Sequence, residues 1–440
     1  MKTSVCIALV MLPFSMSVVA VTKEKTDTHP VTLPQAIESA LALDPWLLAN
    51  SYRQESALAR SVGIKSLPDP KFNVGIKNLP TDTLDYDQEA MTQFSIGVSQ
   101  MLPRGETLSL KGKKLEQKAD QHPLLREERR AAVIRDISIL WLRAIKAQKS
   151  IELINQNYQI FLQLNDVATS SYSAAFGRTR QQDLVRAELE LVNLEDRLTQ
   201  LKQQRDVALQ QLEPWLIPAG ETRTARLTIK GQIPELKLRD IMAPLDPKLI
   251  SHLSKHPRLA LFDISIGMAS TDLLLAEQKY KPEWIINASY GIRGKTAVGD
   301  ERSDLFSMGV TIDIPVFSTS RQDSEVKAAI TDREALKTER LLLLRELYSR
   351  YGALHSDLEK LDKRQRLYEQ QLLPGFSESA EAAINAYTVD DGSFAEVVRA
   401  RISELDAKLT SLGIHVERLK TITVMNYLLT QVGDVEVTEQ

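Results

Sequence analysis

The residues able to do chemistry in this chain are few and scattered. Its histidines are His29, His122, His252, His256, His355 and His415, and its single cysteine is Cys6. His252 and His256 stand four apart, a spacing that can bring two imidazoles onto one helix face as metal ligands. His256 precedes Pro257, however, where a helix boundary is expected, and no third ligand lies close in sequence. A structural role for the pair is therefore expected over a metal site. Neither a nucleophile elbow nor a phosphate-binding glycine loop is present. The chain reads as a non-enzyme that needs no cofactor. What remains is charge beside two helical turns: Asp183 after the first, and Glu396 with Arg399 after the second.

The elements that carry these turns follow from an internal repeat. Phe94-Ser95-Ile96-Gly97-Val98 returns as Phe306-Ser307-Met308-Gly309-Val310, an offset of 306 − 94 = 212 residues. The same offset takes Asp44-Pro45 onto His256-Pro257, Pro70-Lys71-Phe72 onto Pro282-Glu283-Trp284, and Pro103 onto Pro315. Asp183-Leu184-Val185-Arg186-Ala187 and Glu396-Val397-Val398-Arg399-Ala400 match one residue later. A length of 440 residues is thus one architecture in two similar halves. The expected boundaries are a signal peptide over 1–20, a first copy over 21–212 with a β-hairpin at 71–102, and a connector over 213–250. A second copy over 251–429 follows, with a hairpin at 283–315, and then a polar tail over 430–440.

Lys2, the apolar run from Val5 to Val19 and the small residues ending at Ala20 have the form of a cleaved secretory signal. Cleavage would remove Cys6 and leave no cysteine for a disulfide or a lipid anchor. A net charge of −3, with 26% charged residues, gives no electrostatic case for nucleic acid.

In each predicted hairpin apolar and polar residues alternate. Phe72, Val74 and Ile76 lead to Phe94, Ile96 and Val98; Trp284, Ile286, Ala288 and Tyr290 lead to Phe306, Met308, Val310, Ile312 and Ile314. A period of two gives each strand one apolar and one polar face, which suits a transmembrane barrel strand and equally a half-buried soluble hairpin. Residues 79–91, with Asp82, Asp85, Asp87 and Glu89, read as an exposed loop.

Thr32 and Pro34 open a first helix, with a break at Asp44-Pro45. From about Arg104 to Ser170 the composition is helical, with a kink or restart expected at His122-Pro123. That length spans on the order of 100 Å. A turn with Gly177 leads to a return helix whose Leu184, Ala187, Leu191, Leu194, Leu198, Leu201, Ala208 and Leu212 form a heptad seam, with Arg205 intruding. The second copy has the same plan. Its outgoing helix runs from about Ser318 to Tyr387 with a bend at Pro374-Gly375, and its return helix carries Val398, Ile402, Leu405, Leu409, Leu412, Val416 and Leu419.

Four strands cannot close a barrel, and an open sheet edge cannot face lipid. Strands in a membrane therefore require several chains in one barrel, and long helices with narrow seams require lateral partners. Together these features resemble the TolC family of outer-membrane efflux ducts over about residues 32–429. The residues concerned are Leu33-Pro34-Gln35-Ala36-Ile37-Glu38-Ser39-Ala40-Leu41 with Asp44-Pro45, Val98-Ser99-Gln100 before Leu102-Pro103, and Gly177 before Gln182-Asp183-Leu184-Val185-Arg186-Ala187-Glu188. Asn78-Leu79-Pro80, Gln88-Glu89-Ala90-Met91-Thr92-Gln93 and Gly177-Arg178 most resemble the branch serving heavy-metal exporters of the resistance-nodulation-division type. Pro123 and Arg180 depart from the family pattern, as does the lack of a lipid-anchoring cysteine.

The resemblance implies a mainly α fold with a small β part: antiparallel coiled-coil helices and four transmembrane strands per chain. Three chains would form a twelve-stranded barrel continued by a periplasmic helical barrel. It also implies outer-membrane lipid, a periplasmic adaptor and an inner-membrane pump as partners, with no nucleic acid. Phe176, Gly177, Arg178, Thr179, Asp391, Gly392 and Ser393 would be the adaptor-docking tips. Glu396, Arg399 and Asp183 would line the periplasmic gate, where three copies of Glu396 attract cations. The competing reading of Glu396 is an exposed helical pair with Arg399, worth about 0.3–0.5 kcal/mol. The competing function for the whole chain is a periplasmic coiled-coil scaffold with soluble hairpins.

Overall fold

The structure is a computed structural model that describes residues 28–173, 181–218, 226–239, 242–244, 246–296, 298–317, 319–389 and 393–434. The expected signal peptide lies outside these residues. Helix starts follow the capping chemistry of the sequence. Helix α1 (Leu33–Ala42) begins after Thr32, whose backbone N–H and hydroxyl both donate to Gln35 Oε1 at 3.1 and 2.9 Å. Helix α2 (Pro45–Gly63) begins after Asp44, whose Oδ1 accepts the Trp46 N–H at 3.0 Å. The repeat counterpart of Asp44 does the same: His256 Nδ1 accepts the Arg258 N–H at 3.2 Å. Both Asp-Pro and His-Pro are thus helix starts, each with proline in the first turn.

The first hairpin leads into the next long element. Strands β2 (Lys71–Lys77) and β3 (Gln93–Leu102) form the first hairpin, and helix α3 (Thr107–Ser173) continues from it for 67 residues. At about 1.5 Å per residue this helix is about 100 Å long. The kink or restart expected at Pro123 is not there as a break; α3 runs through it. An interior proline forfeits one hydrogen bond and crowds a carbonyl, a cost of about 3 kcal/mol. Here α3 is held on two sides, by α2 and by α6 (Pro257–Gln278), with Ala119 and His122 buried between its neighbours. Lateral packing of this kind offsets the local penalty.

Helix α4 (Gln181–Leu216) returns along α3 and keeps Pro214 in its last turn. The following residues are more ordered than a connector. Strand β4 (Arg226–Ile229) pairs in parallel with β1 (Thr28–Val31), and α5 (Pro247–Leu253) precedes α6. Helix α6 is long and apolar enough to cross a membrane by length and composition, yet it packs between α3 and α7 (Ser320–Leu367) as a bundle helix. Strands β5 (Glu283–Arg293) and β6 (Leu305–Asp313) connect them. Strand β6 ends one residue short of Ile314, which the alternation had included.

The bend expected at Pro374-Gly375 takes the form of a π-helical turn just before it, over Tyr368–Leu372. The Leu373 N–H reaches back five residues to the Tyr368 carbonyl, and Pro374 then opens α8 (Leu373–Thr388). Helix α9 (Phe394–Leu428) completes the fold. Residues 430–434 are not a free tail: Thr430 is buried, the Val432 N–H donates to Lys255 O at 3.2 Å, and the Gly433 N–H to Glu127 Oε2 at 3.1 Å.

Three apolar clusters hold the helices. One joins α1, α3, α4, β4 and α9 through Trp141, Leu142, Leu212, Leu227 and Leu419; a second joins α5, α7 and the end of α9 through Leu253, Leu347, Tyr351 and Met425. The third lies at the far end from the sheet, where Phe161 of α3, Leu194 of α4, and Phe394, Val398 and Leu405 of α9 meet. The described seam residues of α4 and α9 feed these clusters, as the heptads predict. Arg205 is accommodated by donating to Gln148 Oε1 of α3 at 3.3 Å and pairing with Asp206.

Candidate functional site

The register of the four strands settles which side chains share a face. The sheet order is β2-β3-β5-β6, antiparallel throughout. Phe72 opposes Val98, Val98 opposes Ala288, and Ala288 opposes Met308; one step along, Val74, Ile96, Tyr290 and Phe306 form the next row. Opposed residues point to the same side of a sheet. Phe72, Val74, Ile76, Phe94, Ile96, Val98, Trp284, Ile286, Tyr290, Ile292, Phe306, Met308, Val310 and Ile312 therefore make one continuous apolar face, interrupted by Gln100.

The opposite face carries Lys71, Asn73, Lys77, Gln93, Ser95, Ser99, Asn287, Ser289, Arg293, Ser307, Thr311 and Asp313. Among the described residues nothing covers the apolar side: Phe72 is 74% exposed, Phe306 70% and Met308 71%. Among the described residues, the outer edges of β2 and β6 are also unpaired. A half-buried soluble hairpin would have its apolar face covered.

The loops at the free end of this sheet are interlocked, which the sequence reading of residues 79–91 as an exposed loop did not show. The Tyr86 hydroxyl accepts the Phe94 N–H at 2.7 Å and donates to Ile292 O at 2.5 Å, so it bridges the opposed pair at the top of the β3–β5 seam. Asp87 Oδ1 accepts the Lys295 N–H at 3.0 Å, and Arg302 donates to Glu89 O at 3.1 Å. Gly294 permits this approach, since a Cβ there would fall on the Asp87 carboxylate. The segment is the exposed loop that the sequence predicts, and the fold adds its contacts to the second hairpin through Asp87 and the Glu89 carbonyl.

At the other end, the start of α9 sits beside the third cluster, to which Phe394 belongs. Ser393 caps α9, its Oγ accepting the Glu396 N–H at 3.3 Å, and Tyr387 stacks edge-on to Phe394 with centroids 6.0 Å apart. Glu396 and Arg399 are exposed on the first turns of α9, and among the described residues no ion pair joins them. Arg197 of α4 pairs with Asp406 of α9 at 2.6 Å, tying the two return helices together. Asp183 belongs to the first turn of α4. Phe176, Gly177, Arg178, Thr179, Asp391 and Gly392 lie outside the described residues.

The two histidines serve structure. His252 Nε2 contacts Leu429 O at 2.9 Å, whereas His256 caps α6 and is 1% exposed. Among the described residues no group of three or more His, Cys, Asp or Glu is placed to hold a metal ion.

Neither a protein-family model nor a curated protein sequence matches the chain. Solved structures do. The outer-membrane channel OprN superposes with a TM-score of 0.74 at 16% identity, over 90% of this chain and 89% of OprN. The chain has the fold of an outer-membrane channel. CusC, described in terms of transmembrane channel formation, gives 0.75 at 13% identity over 94% of this chain and 96% of its own. The CmeC outer-membrane channel of Campylobacter jejuni gives 0.73 at 12% over 99% and 97%. The mainly helical fold with a small β part, expected from the sequence, is thus the observed one, and all three neighbours with this fold are channel proteins rather than enzymes.

Proposed function

We propose that three copies of this chain form an outer-membrane exit duct that passively conducts what an inner-membrane pump delivers through a periplasmic adaptor. The observation that carries this reading is the uncovered apolar sheet face with two open edges, set at one end of helices about 100 Å long. Lipid would cover the apolar face, and shared strands would satisfy the edges. Polar residues on the other face then line an aqueous lumen. A coiled-coil scaffold has no use for such a face.

The test is the mass of the protein extracted in detergent from fractionated membranes, corrected for bound detergent. A trimer from the outer-membrane fraction is expected; a monomer or dimer in the soluble periplasm would put the scaffold in its place.

For the cargo we propose heavy-metal cations, on the motifs around Asn78 and Gln88 that resemble the heavy-metal branch. A deletion strain should then be sensitised to metal salts more than to organic drugs. At the far end, Glu396 on the exposed first turn of α9 is proposed as the gate carboxylate, repeated three times about the axis, with Asp183 and Arg399 beside it. Glu396→Ala should lower the cation preference of single channels in planar bilayers, and unchanged conductance and selectivity would remove the gate. Phe176, Gly177, Arg178, Thr179, Asp391, Gly392 and Ser393 are the proposed adaptor-docking tips.

A further inference from the structure

His122-Pro123 departs from the family pattern, and the duct makes no use of it. His122 is 7% exposed, and among the described residues its buried Nδ1 has no hydrogen-bond partner. A buried polar nitrogen without a partner is costly, and native folds keep few of them. Burial holds the imidazole pKa below its usual value, and the charges of Arg126, Lys118 and Arg53 lower it further. The charges that act on the ring are thus all cations.

The level of His122 interrupts a ladder of ion pairs between α2 and α3, which lie in contact. Nearer the sheet, Lys65, just past the end of α2, pairs with Glu116 at 2.5 Å; farther from it, Arg129 pairs with Asp44 at 2.7 Å. Between these two, Arg126 Nη1 donates to the neutral Asn50 Oδ1 at 3.1 Å, and Arg53 stands one turn along α2 from Asn50. Among the described residues neither Arg53 nor Lys118 has an ion-pair partner. Lys118, His122 and Arg126 follow one another at steps of four on α3, so the cations gather across the α2–α3 contact. The internal repeat does not require this. Its offset of 306 − 94 = 212 residues carries Asn50 and Arg53 onto Phe262 and Ser265 of α6, and neither counterpart is charged.

We propose that Arg53, Lys118, His122 and Arg126 bind a small oxyanion of the phosphate or sulfate kind between α2 and α3. Guanidinium groups hold such anions with paired N–H donors, lysine adds a point charge, and a neutral imidazole N–H donates to an oxygen. The anion supplies the negative charge that no carboxylate brings to this level of the ladder. It also ties α3 to α2 at the turn where Pro123 removes a backbone hydrogen bond. The site lies roughly 15–20 Å along α3 from its start, at about 1.5 Å per residue, too far from the sheet for a lipid headgroup beside the apolar face. Lys111, Lys118 and His122 are seven and four apart and so share one stripe of α3. Lys111 lines a cavity of about 820 Å³ together with Met101 and Asp313, which leave the sheet on its polar side. On the duct reading, on which this placement rests, the site faces the lumen. A seated anion there offsets a positive wall that would repel the metal cations proposed as cargo.

The test is calorimetric titration of full-length protein, extracted in detergent, with inorganic phosphate at an ionic strength fixed by sodium chloride. Saturable binding is expected, and sulfate should compete for it. The double variant Arg53→Gln with Lys118→Gln should bind at least tenfold more weakly; both side chains are exposed, so the change leaves the packing of α2 on α3 intact. Lys65→Gln removes a cation that already has its carboxylate and should bind phosphate as the parent does. Phosphate should also raise the thermal midpoint of the parent's helical signal and leave that of the double variant where it was. Phosphate acting no differently from chloride, or binding equally well to the double variant, would overturn the site. An equal loss in Lys65→Gln would overturn it too, by showing diffuse charge in its place. A trimer from the outer membrane that binds no phosphate would remove the site alone. A soluble monomer that binds it would remove the duct and the lumenal placement and leave the site standing.

Discussion

Met308→Arg is expected to strip the protein from the outer membrane, whereas Ser307→Arg, one residue away, is expected to leave it there. Both positions lie near the middle of β6, and alternation sends their side chains to opposite faces. Met308 shares its face with Ala288 and Phe306 and is 71% exposed. In the proposed barrel that exposure is to hydrocarbon. An arginine near the bilayer midplane of a β-barrel costs about 2–4 kcal/mol. Three copies bear the cost in a threefold assembly, a total comparable to the whole stability of many proteins. Ser307 opposes Ser289 on the polar face, where an added cation meets water and neighbours such as Asn287 and Thr311. Fractionation followed by mass measurement in detergent reads both variants. Equal recovery of both as outer-membrane trimers would show that the apolar face does not meet lipid.

The contrast between these two positions also marks what sequence alone carries. Faces were legible because a strand's period is two, and the hairpin ends at Lys71, Leu102 and Glu283 follow from where alternation meets Pro70, Pro103 and Pro282. The cap at Thr32 and the helix boundaries at Asp44-Pro45 and His256-Pro257 were legible because proline suits a first helical turn; that Asp44 and His256 cap those helices came from the structure. Partners were not. Strands β1 and β4 are four residues each, too short for a period to show, and pair across nearly two hundred positions of chain. Pro123 misled because proline's local penalty is written in the sequence while the flanking helices that offset it are not. The bridging hydroxyl of Tyr86 was invisible for the same reason, its acceptor Ile292 being in the other half. For the gate, the exposure of Glu396 and Arg399 follows from the α9 stripe, since Val397 and Val398 turn inward.

Between pH 6.5 and about 4 the protein should lose stability on acidification, and His256→Asn should remove that part of the loss. Burial lowers the His256 pKa from 6.5 to about 4, with the nearby Arg258 cation adding to the effect. Its ring lies edge-on to Tyr427 of α9, with centroids 5.4 Å apart. Behind Tyr427 stand two charges of α3: Glu128, which accepts the phenol hydrogen at 2.8 Å, and Arg135, 4.2 Å from the ring centroid. The imidazole therefore sits neutral in a wall that has no carboxylate directly on it.

The sign follows from proton counting. An unfolded chain protonates this histidine near 6.5, while the folded chain resists until about 4. In that window the unfolded state holds more protons, so stability rises with pH. The full contribution is present above 6.5 and is lost progressively down to about 4, to the extent of about 3 kcal/mol per chain. Asparagine can still accept the Arg258 N–H and start α6, but it does not titrate. The variant pays a constant cost for the lost ring contact, and its stability curve should run flatter than the parent's across this window. Thermal loss of the helical signal, followed at successive pH values in detergent for parent and variant, makes the comparison. Parallel curves would mean that His256 is already solvated in the folded protein.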